Sequence, residues 1–216
     1  MQTSTTRVET FSDGVIAIII TIMVLELRLP DFNKDQDTYD MQHHLIEILP
    51  HLGAYIFSFI MTGILWLNHH HMFHLLGKTD NALLAQNLFF LFWMSLIPFV
   101  TGIMGANPLL PTSTALYGFI MFMTTLTLSF MHSHTLKKHL VHTDEERDVK
   151  KKIEKVSVKS RKKTYIGSAV YLASVPLAFA SVYLSYVCFL TAVILFWLPA
   201  GIDEERLAEK VIGKNS

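Results

Sequence analysis

Between Thr164 and Ala200 the chain carries no charged side chain. Four more long apolar stretches precede that block, at 11–29, 53–76, 82–106 and 114–134. A hydrocarbon core about 30 Å thick takes about 20 apolar residues per crossing helix. Each of the four therefore fits one crossing. The 164–200 block is too long for one ordinary crossing, and a tight turn near Ser181–Ser185 divides it into spans at 164–180 and 184–200. The expectation is an all-α integral membrane protein with six transmembrane helices in a single domain over 1–216. Composition agrees, with 51% hydrophobic and only 17% charged residues, which points away from a soluble domain.

The basic residues give the orientation. With the N-terminus inside, all but two of the 18 Lys and Arg residues fall on the inner side, the exceptions being Arg28 and Lys34. That is the asymmetry of the positive-inside rule, and it places both termini in the cytoplasm of a multi-pass cell-membrane protein. The N-terminus does not read as a signal peptide, because Glu9 and Asp13 interrupt it and no small-residue cleavage site follows. The first apolar segment is expected to be retained. Net formal charge is zero, so nothing argues for nucleic acid as a partner. The basic cytoplasmic connection at 136–163 is expected to form a helical extension of the fourth or fifth span, and it suits either contact with anionic headgroups or a solvated anchoring role. The first outer loop carries Glu26, Asp31, Asp35, Asp37, Asp40 and Glu47 against Arg28 and Lys34. It either concentrates cations at a pore mouth or is only a solvated loop.

The first span poses the sharper question, since Asp13 sits inside an otherwise apolar helix. At 100° per residue, Ile18, Ile22, Leu25 and Leu29 fall within about 60° of one another, bordered by Gly14 and Thr21, while Asp13 lies about 140° from Ile18. The carboxylate therefore points sideways, into whatever packs against the helix. A membrane carboxylate normally turns inward and finds a partner. The second span offers Trp66, His69, His70 and Phe73 along one helical face, at matching depth, and the third offers Asn87. Asp13, Ser12, His69 or His70, and Asn87 are expected to form one polar knot joining three helices, since lipid offers these groups no hydrogen bonds. A proton-relay or ion-ligand role for Asp13 is the rival. The apolar stripe can face lipid, core or a pore, and periodicity alone favours the first two.

His69, His70, His71 and His74 include i, i+4 pairs of the kind that hold zinc. No acidic or cysteine ligand stands near them on the same segment, and consecutive histidines diverge, so no metal is assigned. Cys188 lies in an apolar run and reads as a small buried hydrophobe. The sequence contains no Gly-rich phosphate loop, no Gly-x-Ser-x-Gly, no zinc-protease motif and no paired-acid or Ser/His constellation. Enzyme chemistry, and with it a resident cofactor, is therefore not expected. No span carries arginine at every third position, and there is no TVGYG-like filter. An ion path through this chain must be lined by whole helices.

Arg7-x-x-x-Phe11-Ser12-Asp13-Gly14-Val15-x-Ala17-Ile18-x-x-Thr21, followed by Leu25 and Pro30, resembles the signature of the transmembrane protein 175 family. Trp66-x-x-His69-His70-x-x-Phe73 and Asn87-Leu88-x-x-Leu91 with Pro98-Phe99 resemble its second- and third-helix motifs, and the likeness covers all six spans. The single six-helix repeat is similar to the family's prokaryotic form. The resemblance implies a potassium-permeable channel built as a homotetramer in the bilayer, with the first helix of each subunit lining a central pore for monovalent cations. It maps the hydrophobic constriction onto Ile18, with Ile22 and Leu25 further out, and the threonine tied to potassium preference onto Thr21. It also implies that Arg7, Phe11, Ser12 and Asp13 hold the helices together with Trp66 and His69 or His70. Leu27 stands where some relatives place another polar pore residue. Rings of isoleucine and leucine can gate by dewetting. The rival function is a proton-coupled cation or metal transporter working through the His69–His74 cluster.

Overall fold

The computed structural model describes residues 5–27, 38–138, 140 and 147–197. Within them the chain is helical, with α1 at Thr5–Ile22, a short 3-10 helix at Met23–Glu26, α2 at Thr38–His74 and α3 at Asn81–Ser95. There follow α4 at Ile97–Ala106, α5 at Pro111–Lys137, α6 at Arg147–Ala180 and α7 at Val182–Trp197. Among the described residues, four stretches are long and apolar enough to cross a membrane: Thr5–Glu26, Ile48–His74, Asn81–Ala106 and Pro111–Lys137. Helix α7 is apolar but shorter. Leu29, Pro30, Arg28, Lys34, the loop acids from Asp31 to Asp37, residues 198–200 and the C-terminal Arg206, Lys210 and Lys214 lie outside the described residues.

The segment expected as one helix at 82–106 is broken. Helix α3 ends at Ser95, and α4 restarts at Ile97 with Pro98 in its first turn. Proline lacks the N–H that a continuous helix needs at that point but fits the start of a new one. The split of the last apolar block falls at Ser181, between α6 and α7. Helix α6 also runs back through the basic connection to Arg147, so this connection is partly a continuation of the helix.

Helix α1 packs on α2 and α3, and its 3-10 end lies on α4. The most extensive packing joins α5 to α6, and α7 closes on α6. Between apolar helices in lipid there is little hydrophobic gain, so close approach and polar contacts decide the packing. Small residues make the approach at Gly118, where an added Cβ would stand 2.5 Å from Ser174 Oγ and 3.4 Å from the Phe189 ring. Buried hydroxyls supply the polar contacts. Ser58 Oγ lies 3.0 Å from Tyr117 Oη and 2.8 Å from Thr101 Oγ1, tying α2, α4 and α5 together. Ser185 Oγ donates across the α6–α7 turn to the Ser174 carbonyl at 2.7 Å. The core around them contains Met61, Leu65, Phe90, Met94, Tyr117, Tyr171 and Phe189.

Candidate functional site

Helix α1 has two unlike faces. Val8, Ser12, Ile16 and Ile19, with Met23 in the 3-10 turn, recur at helical spacing and are buried, the helix against α2 and α3 and the turn against α4 and α2. On the other side Phe11 (54% exposed), Ile18 (58%), Ile22 (45%) and Leu25 (68%) stand uncovered, with Thr21 beside them. Among the described residues, nothing else in the chain plugs this apolar face. The Thr21 hydroxyl is turned back into its own helix, 2.9 Å from the Ile18 carbonyl and 3.0 Å from that of Ala17. A hydroxyl whose proton is taken up in this way keeps acceptor lone pairs for an outside partner.

The buried face of α1 carries the first of two polar clusters. Ser12 Oγ donates to the Val8 carbonyl at 2.8 Å and accepts from Asn87 Nδ2 at 2.8 Å. The Asn87 amide oxygen then faces His69 Nε2, also at 2.8 Å. An amide oxygen only accepts, so the His69 proton sits on Nε2. The His69 ring lies between Phe90 (centroids 5.2 Å apart, nearly parallel) and Phe73 (4.5 Å), fully buried. One chain of hydrogen bonds therefore links α1, α3 and α2 in a region where lipid could satisfy none of these groups.

The second cluster lies on the flank of α1 and is half-buried. Trp66 Nε1 donates to Asp13 Oδ1 at 2.8 Å, and the Trp66 ring stacks on His70 with centroids 5.2 Å apart. His70 Nδ1 lies 3.9 Å from Asp13 Oδ2 and 3.3 Å from Glu9 Oε1. His74 Nε2 lies 2.9 Å from His70 Nε2 and 3.5 Å from Glu9 Oε1.

The expected single knot is thus two neighbouring ones. His69 pairs with Asn87 and Ser12, whereas His70 faces Asp13. Consecutive residues on a helix diverge by 100°, so one histidine enters the α2–α3 contact and the next meets the flank of α1. Arg7 and Phe11, expected in the same network, are exposed and stand outside both clusters. Ile18, Thr21, Ile22 and Leu25 share the open face instead. Sequence reasoning named His74 only within the i, i+4 histidine pairs and missed that Glu9 meets it. Their signal was present in two i, i+4 pairs, Glu9 with Asp13 and His70 with His74, but which pairs would face each other depends on how the helices are rotated.

Residues 7–98 match the family described as "Endosomal/lysosomal potassium channel TMEM175". The chain is 36% identical to a potassium channel of Chryseobacterium sp. over 209 residues, covering 97% of this chain and 98% of that one. It is 32% identical to a potassium channel of Chamaesiphon minutus, covering 89% and 93%. Its fold is similar to the crystal structure of a lysosomal potassium-selective channel TMEM175 homolog from Chamaesiphon minutus, with a TM-score of 0.76 at 27% identity, covering 91% of this chain and 98% of that one.

Proposed function

The chain belongs to the TMEM175 family, and from that membership we propose that it is a potassium-permeable cation channel of the prokaryotic cell membrane. In this reading four copies surround an axis in the bilayer, and α1 of each lines the path. Ile18 forms the narrowest ring, Ile22 and Leu25 form further rings toward the outside, and Thr21 presents its hydroxyl oxygen to the ion. A ring of branched aliphatic side chains repels water from a narrow bore, and a potassium ion cannot cross such a stretch without its hydration shell. The potassium ion is cargo, and the reading needs no resident cofactor. The observation that carries it is the open face of α1, where apolar residues and one threonine are largely left exposed by the described residues of the chain. The buried Ser12–Asn87–His69 chain and the Asp13–Trp66 bond have a supporting role, fixing the rotation of α1 so that this face points away from the subunit.

The test is reconstitution into liposomes with potassium, sodium and proton flux measured side by side. Wild-type protein should pass potassium faster than sodium without a proton gradient. Ile18→Asn, which wets the ring, should raise flux about tenfold, equivalent to about 1.4 kcal/mol off the barrier. An unchanged flux would refute the gate at Ile18.

The competing reading, a proton-coupled cation or metal transporter working through His69–His74, draws on the approach of Glu9 to His70 and His74. It has a difficulty at His69, which is enclosed by two phenylalanine rings and held by Asn87. Transport that stops when the proton gradient is collapsed, and fails in folded His70→Gln protein, would establish it instead.

A further inference from the structure

Glu9, His70 and His74 are not needed for the apolar ring or for the buried Ser12–Asn87–His69 chain, yet they converge. We propose that they form a binding site for a divalent transition metal of the zinc class, which staples α1 to α2. Two i, i+4 pairs face each other here, Glu9 and Asp13 on α1 and His70 and His74 on α2, and residues four apart share one face of a helix. The three ligand atoms all lie within 4.8 Å of one another. Tetrahedral zinc with bonds of about 2.0–2.1 Å needs ligand atoms about 3.3 Å apart. His74 Nε2 stands 2.9 Å from His70 Nε2 and 3.5 Å from Glu9 Oε1, which is close to that requirement.

Two further observations point to an occupant. Glu9 Oε1, one of the three ligand atoms, is shielded from solvent and has no hydrogen-bond partner, and His70 Nδ1, across the ring from the ligating Nε2, is likewise shielded and unbonded. They are 3.3 Å apart but not aligned to bond to each other. The outer support of a metal site is also in place. With His70 Nε2 on the metal, Nδ1 has the Asp13 carboxylate behind it, and the 3.9 Å gap to Oδ2 must close by about 1 Å for the N–H to bond to it. A ligating imidazole ordinarily has such a carboxylate behind it. Trp66 holds the other oxygen of Asp13 and stacks on the His70 ring, fixing the orientation of both. Two imidazoles and one carboxylate favour zinc, copper or nickel over magnesium or calcium, which prefer all-oxygen shells. A fourth position stays open to water.

The experiment uses full-length, tag-free protein in detergent, titrated with zinc chloride against a chromogenic chelator. The wild type should take up one zinc per chain, and magnesium should not compete. Zinc should raise the thermal midpoint of the wild type, since a ligand bound only by the folded state stabilises it. Glu9→Gln and His74→Gln, checked for unchanged elution volume, should each weaken zinc binding at least tenfold and abolish the shift. Failure of the wild type to retain zinc, or equal retention by both variants, would overturn the site. A regulatory role rests on the channel reading above. Zinc on the inner side should slow potassium flux through wild-type protein and leave Glu9→Gln flux unchanged. Stoichiometric zinc binding with zinc-independent flux would overturn regulation and leave the site standing.

Discussion

Asn87 uses both ends of its amide on other helices, donating to Ser12 and accepting from His69. Replacing it with leucine keeps the bulk but leaves a buried hydroxyl and a buried imidazole N–H without these partners. The expected cost is about 1–2 kcal/mol, in the range for a lost buried hydrogen bond and above the average for single interhelical bonds in membranes. Thermal unfolding in detergent should show a lower midpoint for Asn87→Leu, and an unchanged midpoint would remove the network's structural role. At this scale the sequence was partly legible. A carboxylate in an apolar helix must find partners, and helical spacing puts Trp66 and the histidines on a face that can supply them. Nothing in the spacing of three consecutive histidines says which of them meets α1 and which meets α3, because that depends on a rotation fixed by packing along the whole helix. For the same reason Glu9 read only as an interruption of the N-terminal segment until α2 was in place.

Among the elements, the start of α3 shows how one polar residue joins two of them. Asp80 caps the helix, its Oδ1 accepting from the Leu83 N–H at 2.8 Å, and its Oδ2 lies 2.8 Å from His134 Nε2 on α5. Burial by itself pushes the Asp80 carboxyl up. The Leu83 N–H, His134 and the Lys138 charge outweigh burial and hold it below the ordinary carboxylate value. A group whose pKa is lowered by folding stabilises the fold fully above its unfolded value of about 3.9, and that contribution is lost as pH falls through the lowered folded value. Thermal midpoints should therefore drop below about pH 4 in the wild type. Asp80→Asn keeps a capping oxygen but cannot titrate, so part of that acid-side drop should vanish. Equal acid sensitivity in the two proteins would exclude Asp80 as its source. The elements themselves were legible where lipid imposes the rule, since a crossing helix needs a long apolar run whatever it packs against. The break at Leu96 was not read, because hydropathy continues unbroken through Pro98 and only the backbone there registers the proline. The backward extension of α6 to Arg147 agrees with the helical extension expected from the basic connection, although its polar composition carries no crossing signal to fix where it starts.

For the whole molecule, the two faces of α1 make the assembly testable. Ile18 is 58% exposed and its neighbour Ile19 only 5%. In a Cys188→Ala background, Ile18→Cys should be joined between subunits by a short bis-maleimide and run as a dimer on denaturing gels. Ile19→Cys, packed inside its own subunit, should stay monomeric. Equal behaviour of the two would exclude an axis lined by the open face. The last turn before the outer loop adds a mechanical consequence. From Met23 to Glu26 the backbone is wound as a 3-10 helix, with three residues per turn and about 2.0 Å of rise each, in place of 3.6 residues and 1.5 Å. Rewinding those residues to the α form would swing the Leu25 side chain through about 60° and draw it inward by about 1.5 Å while the shaft below stays fixed. On the channel reading, the outermost leucine would swing like a shutter vane on its own pivot, independent of the isoleucines beneath it.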